Sequence, residues 1–282
     1  MTLNLGWFSS GRDDTACALL SGVVKKRDEG LLDVSIKFVF CNWEEGEEPE
    51  HPEYGQRERF FRLVRELGIP LITLSWKRFR EGQKGSKDER KTAYGEKVRS
   101  LIEDSPIDLG IWAGYSLWTD KDTCARFNLL NLYPSIPGGP LGTAREVIWQ
   151  IIVQRAARHG AMVLLCSPEQ EEGVPLSCCS FSVQTPDYKP LWEQFDAATR
   201  KRGGFETISK EEAEASNLFR RIDRDVKARE APLLIYTLKM LADGSVKIIN
   251  GRIHEEDILR KSAYDLTATV DQALAEADPE VR

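Results

Sequence analysis

A chain of 282 residues, 41% of them hydrophobic, can bury a large core in one domain, or in one domain with an appendage. Charged residues make up 30% and the net charge is -6 at pH 7, so no overall positive field draws in nucleic acid, and tRNA and DNA are set aside as partners. No stretch approaches the length of an apolar membrane span, and "MTLNLGWFSS" lacks the basic region and cleavage site of a leader, so the expectation is a soluble, cytoplasmic protein with no membrane partner.

In chain order, short apolar runs alternate with amphipathic stretches, the pattern of a parallel sheet flanked by helices. "LNLGWFSS" reads as a first strand whose run ends at Gly11, "DDTACALLSGVVKKRD" as a helix capped by Asp or Thr, and "DVSIKFVFCN" as a second strand. The acidic "EEGEEPEHPE" has no apolar residue and reads as a solvated loop; a bound cation is the weaker alternative, because His51 has no Cys or His neighbour. "YGQRERFFRLVRELG" is an amphipathic helix and "IPLITLSW" a strand. "KRFREGQKGSKDERK" is an exposed loop with part of a helix, leading into the helix "TAYGEKVRSLIED".

"PIDLGIWAGYS" is a strand running into a Gly-Tyr-Ser turn, and "FNLLNLYPS" is the next strand. "TAREVIWQIIVQRAARHG" reads as a helix closed by Gly160, with His159 at an end where a cation suits the dipole. "AMVLLCSP" and "LSCCSFSV" are strands around the turn "EQEEGVP". From Pro186 onward, "LWEQFDAATRKR" and "KEEAEASNLFRRIDRDVKARE" are helical. "APLLIYTLKMLADGSVKIIN" then supplies an apolar segment, an Asp-Gly turn and a short strand, and "ALAEADPEVR" a polar peripheral tail. No repeat or low-complexity linker interrupts the chain, which favours one continuous domain.

The six cysteines (Cys17, Cys41, Cys124, Cys166, Cys178, Cys179) show no C-x-x-C or Cys/His ligand spacing and read as reduced core thiols. Cys178 and Cys179 would point to opposite faces of a strand. No metal site is expected.

In open parallel sheets, ligands bind beyond the carboxyl ends of the strands, where strand order reverses. Three polar groups fall at such ends: the loop after the first strand, Asn131 with Tyr133, and Glu171 with Glu172. An Asn carboxamide can donate to a developing oxyanion, and a carboxylate can orient water or accept a proton, a pairing suited to acyl-type transfer. For Asn131 a buried amide paired with backbone is an equal alternative; for Glu171 and Glu172 a solvated turn is the preferred one.

At these residues the chain resembles the formyltransferase family, above all its glycinamide ribonucleotide transformylase branch. "LLNLYPSIPGGP" is similar to the family's Asn-x-His-Pro-Ser-x-x-Pro signature. "FSSGRDDTACALL", "ELGIPLITLSW", "DLGIWAGYSLW", "HGAMVLLCSPEQEEGVPL" and "APLLIYTLKMLADGSVKI" resemble five further family segments in the same order. The resemblance implies a Rossmann-like, mostly parallel twisted sheet flanked by helices. It assigns residues 1–260 to a formyltransferase-like domain with a helical insertion at about 186–229, and 261–282 to a C-terminal tail. It also implies a 10-formyltetrahydrofolate co-substrate and a small amine acceptor.

By the same resemblance Asn131 is the oxyanion-stabilising residue, Tyr133 stands where the family has its catalytic histidine, and Glu171 lies near the catalytic aspartate. A histidine titrating at about 6.5 both gives and takes a proton at neutral pH; a tyrosine at about 10 donates a hydrogen bond but shuttles protons poorly. The folate side falls on "IWAGYSLW", through Ile111, Trp112, Gly114, Tyr115 and Leu117, an apolar wall ending at Trp118; ordinary strand core is an equal reading for Trp112. The acceptor side falls on Ser10, Gly11, Arg12, Asp13 and Asp14. There the two carboxylates put negative charge where the family seats a phosphate, with Arg12 in partial compensation and helix capping as the alternative role of the acids.

The leading expectation is formyl transfer to an amine, in which Asn131→Ala and Tyr133→Phe each abolish turnover. A non-catalytic folate- or nucleotide-binding relative, and a formyltetrahydrofolate hydrolase, are the alternatives. The acceptor stays open, and a homodimer is left open with it.

Overall fold

The structure, a computed structural model, describes residues 2–117, 121–167, 173–201, 203–204 and 209–277. The chain begins with β1 (Leu3–Ser9), α1 (Asp14–Asp28), β2 (Val34–Cys41), α2 (Tyr54–Glu66) and β3 (Leu71–Thr73). Next come α3 (Trp76–Gly82), α4 (Lys87–Ile102), β4 (Leu109–Trp112), α5 (Lys121–Arg126) and β5 (Leu129–Tyr133). α6 (Ala144–Val153), β6 (Arg158–Leu165), β7 (Val174–Ser182), α7 (Lys189–Lys201), α8 (Lys210–Glu214) and α9 (Asn217–Ala242) follow. β8 (Val246–Ile249), β9 (Arg252–Glu255), β10 (Ile258–Leu259), β11 (Tyr264–Asp265) and α10 (Thr267–Ala277) complete it.

The strand order is β11-β7-β6-β5-β4-β1-β2-β3, with a separate antiparallel β10-β9-β8 set. β1 pairs parallel with β2 and β4, β2 with β3, β4 with β5, and β11 with β7. This is the mostly parallel, Rossmann-like arrangement expected. From β1 the chain builds outward through β2 and β3, then returns to lay β4 on the other side of β1. The reversal puts a topological switch point between β1 and β4, where open α/β sheets seat ligands.

Contact clustering separates two compact units, one of Met1–Leu132, Leu164–Val174 and Thr237–Lys261, the other of Tyr133–Val163, Pro175–Tyr236 and Ser262–Arg282. In the first, Phe8, Phe38, Phe40, Trp112 and Leu129 from the strands pack with Tyr94, Val98 and Ile102 of α4. Edge-to-face rings such as Phe8 and Phe38, 5.6 Å apart, add to the area buried. In the second, α6 buries Val147, Ile148, Ile151 and Ile152, and the Trp192 indole of α7 donates to the Val183 carbonyl at 2.7 Å.

Several sequence expectations are corrected. Residues 77–91, expected as a loop with part of a helix, belong mostly to two helices: Ser75 caps α3 by accepting from the Arg78 amide, and Ser86 with Glu89 forms a capping box on α4. The same Ser75 cap shortens the preceding strand to Leu71–Thr73. The helix expected to run to Gly160 stops at Val153, with Arg155 at φ 52° in the turn, and Gly160 lies inside β6. A Cβ on Gly160 would sit 2.0 Å from the Cys179 carbonyl oxygen, so the glycine serves a close approach of backbone rather than a helix end. His159 is therefore a fully buried strand residue.

The acidic stretch after β2 is organised rather than merely solvated. Arg57 of α2, only 1% exposed, stacks 4.0 Å over Trp43 and donates to the Glu47 carbonyl at 2.9 Å. Glu47, 3% exposed, accepts from the Ser75 hydroxyl at 2.6 Å and the Glu44 amide at 2.9 Å. The apolar run after Ala231 is helical, since α9 continues through Pro232 to Ala242. The short helix α5 was not foreseen, and the segment expected as a tail contributes β11 and α10. Cys179 is buried and Cys178 half-buried, and the six cysteines are free thiols.

Candidate functional site

The loops after β1 and β4 meet at the switch point, joined by backbone and side chain. The Ser10 amide donates to the Gly114 carbonyl at 3.2 Å, and the Ser116 amide donates to Ser10 Oγ at 2.9 Å. Ser10 Oγ donates to Asn42 Oδ1 at 2.6 Å. Asn42, the residue after β2, is 4% exposed and was missed as a site residue. Its signal was a polar residue closing the apolar run "FVFCN". Gly11 adopts φ 60°, and a Cβ there would meet Phe60 at 2.9 Å, so both conformation and space call for glycine.

The charged residues of the first loop pair within the protein. Arg12 makes two hydrogen bonds to Glu53, Nε to Oε2 at 2.7 Å and an Nη to Oε1 at 2.6 Å. That hydrogen bond holds the Glu53 carboxyl below its usual range and raises Arg12. Asp13 caps α1 by accepting from the Ala16 amide at 3.1 Å, and Asp14 pairs with Arg59 at 2.5 Å. The capping role weighed for these acids is thus what Asp13 performs.

On the β4 side, Ile111 is fully buried and Trp112 is 9% exposed, packed with Phe8, Phe40 and Leu129. They form core, and the surface falls to the residues after them. Gly114 is exposed at φ 68° with open space where a Cβ would be, while Tyr115 and Leu117 are half-buried against the core cluster. The Tyr115 ring lies 5.3 Å from Trp112 and 6.0 Å from Phe8. Trp118 lies outside the described residues.

Asn131 stands on β5 directly opposite Trp112 in the parallel register. It is half-buried, and its carboxamide makes no hydrogen bond among the described residues. Tyr133, at the end of the same strand, has a different character. Its hydroxyl donates to the Gly142 carbonyl at 2.8 Å and accepts from the Gly142 amide at 2.6 Å. Both hydrogen-bonding capacities of the phenol hold the "PSIPGGPLG" loop closed on itself. Glu171 and Glu172 lie outside the described residues.

Two cavities are lined by other described residues. One of about 280 Å³ is lined by α7 and the α8–α9 junction, and one of about 180 Å³ by α6, Glu214 and Phe219. No group of three or more His, Cys, Asp or Glu among the described residues is placed to hold a metal ion, and no helix among them is long and apolar enough to cross a membrane.

No protein-family model matches the chain, and no curated protein sequence matches it. Solved structures do. A phosphoribosylglycinamide formyltransferase from Coxiella burnetii aligns over 94% of this chain and 99% of its own, with a TM-score of 0.64 at 16% identity. Glycinamide ribonucleotide transformylase 1 from Symbiobacterium toebii covers 90% and 94%, at 0.58 and 17%. A formyltetrahydrofolate deformylase from Pseudomonas syringae pv. tomato covers 90% of this chain and 66% of its own, at 0.59 and 15%. At such identity the likeness speaks for fold and not for chemistry, and the fold it establishes is the Rossmann-like one of these formyltransferases and deformylases.

Proposed function

We propose that this protein transfers a formyl group from 10-formyltetrahydrofolate to a small amine acceptor. The observation that carries the reading is Asn131: a half-buried carboxamide at the carboxyl end of a central strand, without a partner among the described residues. When an amine adds to the formyl carbon, its oxygen gains negative charge, and the Asn131 Nδ2 is the donor that meets it. The reading seats the folate ring at the open backbone of Gly114 and the half-buried Tyr115 and Leu117. Glu171 takes the role of base or water-orienting group. Tyr133 acts at one remove, because its phenol is committed to Gly142.

The reading includes a cytoplasmic protein acting on a small molecule, with no nucleic-acid partner. The test is calorimetric titration with a non-hydrolysable 10-formyl folate analogue, followed by turnover with a panel of amines. Asn131→Ala should retain folate binding and lose about 10²- to 10³-fold in turnover, as when one oxyanion donor is removed. No folate binding, or unchanged turnover in the variant, would sink the proposal. Release of formate to water is the second reading, supported by the likeness to the Pseudomonas syringae deformylase. It is distinguished by formate appearing at the same rate with and without amines.

A further inference from the structure

The hydroxyl at the centre of the first loop is fully spent. A serine hydroxyl has one proton and two lone pairs. Ser10 Oγ gives its proton to Asn42 Oδ1 at 2.6 Å and accepts from the Ser116 amide at 2.9 Å. Ser116 Oγ lies 2.9 Å away, and since the Ser10 proton is already given, Ser116 is the donor in that contact. Ser10 can therefore offer nothing to a ligand.

Two groups beside it can. Asn42 Nδ2 carries two protons and has no partner among the described residues, although Asn42 is 96% buried (4% exposed). Nδ2 is not one of the described buried atoms that lack a partner, so it keeps contact with solvent and is within reach of a ligand. Ser116 is exposed, and after donating to Ser10 its oxygen keeps its lone pairs for an incoming proton. Nδ2 and Oδ1 share one carbon, so this donor and this acceptor flank the same hydroxyl.

Charge excludes the other obvious ligand. Arg12 is bound by both oxygens of Glu53 and Arg59 by Asp14. The start of α1, which would otherwise favour an anion, already carries the Asp13 cap and Asp14 in its first turn. A phosphate arriving here meets carboxylates and no unpaired guanidinium.

We infer that the acceptor is held at this loop through a neutral hydroxyl or carboxamide, which accepts from Asn42 and donates to Ser116, and not through a phosphate. This names the acceptor's chemical class and rests on the formyl-transfer reading for its role as acceptor. Asn42 is then a specificity-determining residue.

The test uses the full chain and two probes that differ by one group, glucosamine and glucosamine 6-phosphate. Binding is followed by NMR at the Asn42 side-chain amide and at the Gly11 and Ser116 backbone amides. Glucosamine should shift all three and bind about tenfold or more tighter than its phosphate, whose negative charge meets Asp13 and Asp14 with Arg12 and Arg59 already paired. Asn42→Asp keeps an oxygen for Ser10 and replaces the donor with an acceptor, so it should weaken glucosamine by at least as much while the rest of the spectrum is unchanged. Tighter binding of the phosphate, equal or stronger glucosamine binding in the variant, or no shift with either sugar would each overturn the inference. Folate binding is measured separately: if folate binds and the sugars fail, this inference alone falls. If folate does not bind, the formyl-transfer reading falls and the titration still reports on the loop.

Discussion

His159 makes the protein acid-sensitive in a way that can be worked out in advance. The side chain lies in β6, fully buried, with its ring 5.8 Å from Phe181 and neither ring nitrogen hydrogen-bonded among the described residues. Burial alone lowers its pKa from the ordinary 6.5 to about 4. Above pH 6.5 the folded and unfolded forms are both neutral, and the group leaves stability unchanged with pH. As pH falls below 6.5 the unfolded chain binds a proton that the folded chain refuses, so stability drops by up to about 1.4 kcal/mol per pH unit until pH 4. Between pH 7 and pH 5 the loss is about 2 kcal/mol, a large part of a typical margin. Urea unfolding of the wild type and His159→Phe at the two pH values isolates it, because the other titrating groups are common to both. The variant should lose about 2 kcal/mol less on acidification, and should be no less stable at pH 7, since two unpaired buried nitrogens are gone. Equal losses in the two proteins would refute the argument.

Tyr133→Phe removes both hydrogen bonds to Gly142, leaving the Gly142 N–H and C=O to find water, and should cost about 1–2 kcal/mol of stability. Because the phenol is already committed, turnover should fall far less than in Asn131→Ala; abolished turnover with unchanged thermal stability would restore Tyr133 to the chemistry. Arg57→Ala strips the cation from Trp43 and frees the Glu47 carbonyl inside a buried cluster. A loss of about 3 kcal/mol is expected, read by urea unfolding followed by circular dichroism, and a loss under about 1 kcal/mol would show the cluster to be peripheral.

The parallel sheet was legible because strands buried on both faces leave near-continuous apolar runs, such as "DVSIKFVFCN" and "AMVLLCSP". Helices were misplaced where local signals were weak or overridden. Residues 77–91 lack an apolar stripe, yet Ser75 and Ser86 cap two helices there. The segment 154–160 carries helix-forming residues, yet Gly160 is needed for contact with Cys179, a partner that no local pattern reveals. Pro232 sits inside a helix it would ordinarily end, where α9 buries Leu233, Leu234 and Leu238.

The site followed the same division. The positions of Asn131 and the first loop could be read from spacing, because strand ends and glycine turns are local features. What those residues do depends on distant partners: Asn42 on Ser10, Glu53 on Arg12, Gly142 on Tyr133. Tyr133, which the sequence resemblance sets in a histidine's place, looks like a damaged catalyst when read alone. With both of its hydrogen bonds made to one glycine, it is a fastener for the loop that follows β5. Under the proposed reading the reactive burden falls on Asn131 and Glu171, which is why Asn131→Ala, and not Tyr133→Phe, is the substitution that decides whether this fold performs formyl chemistry.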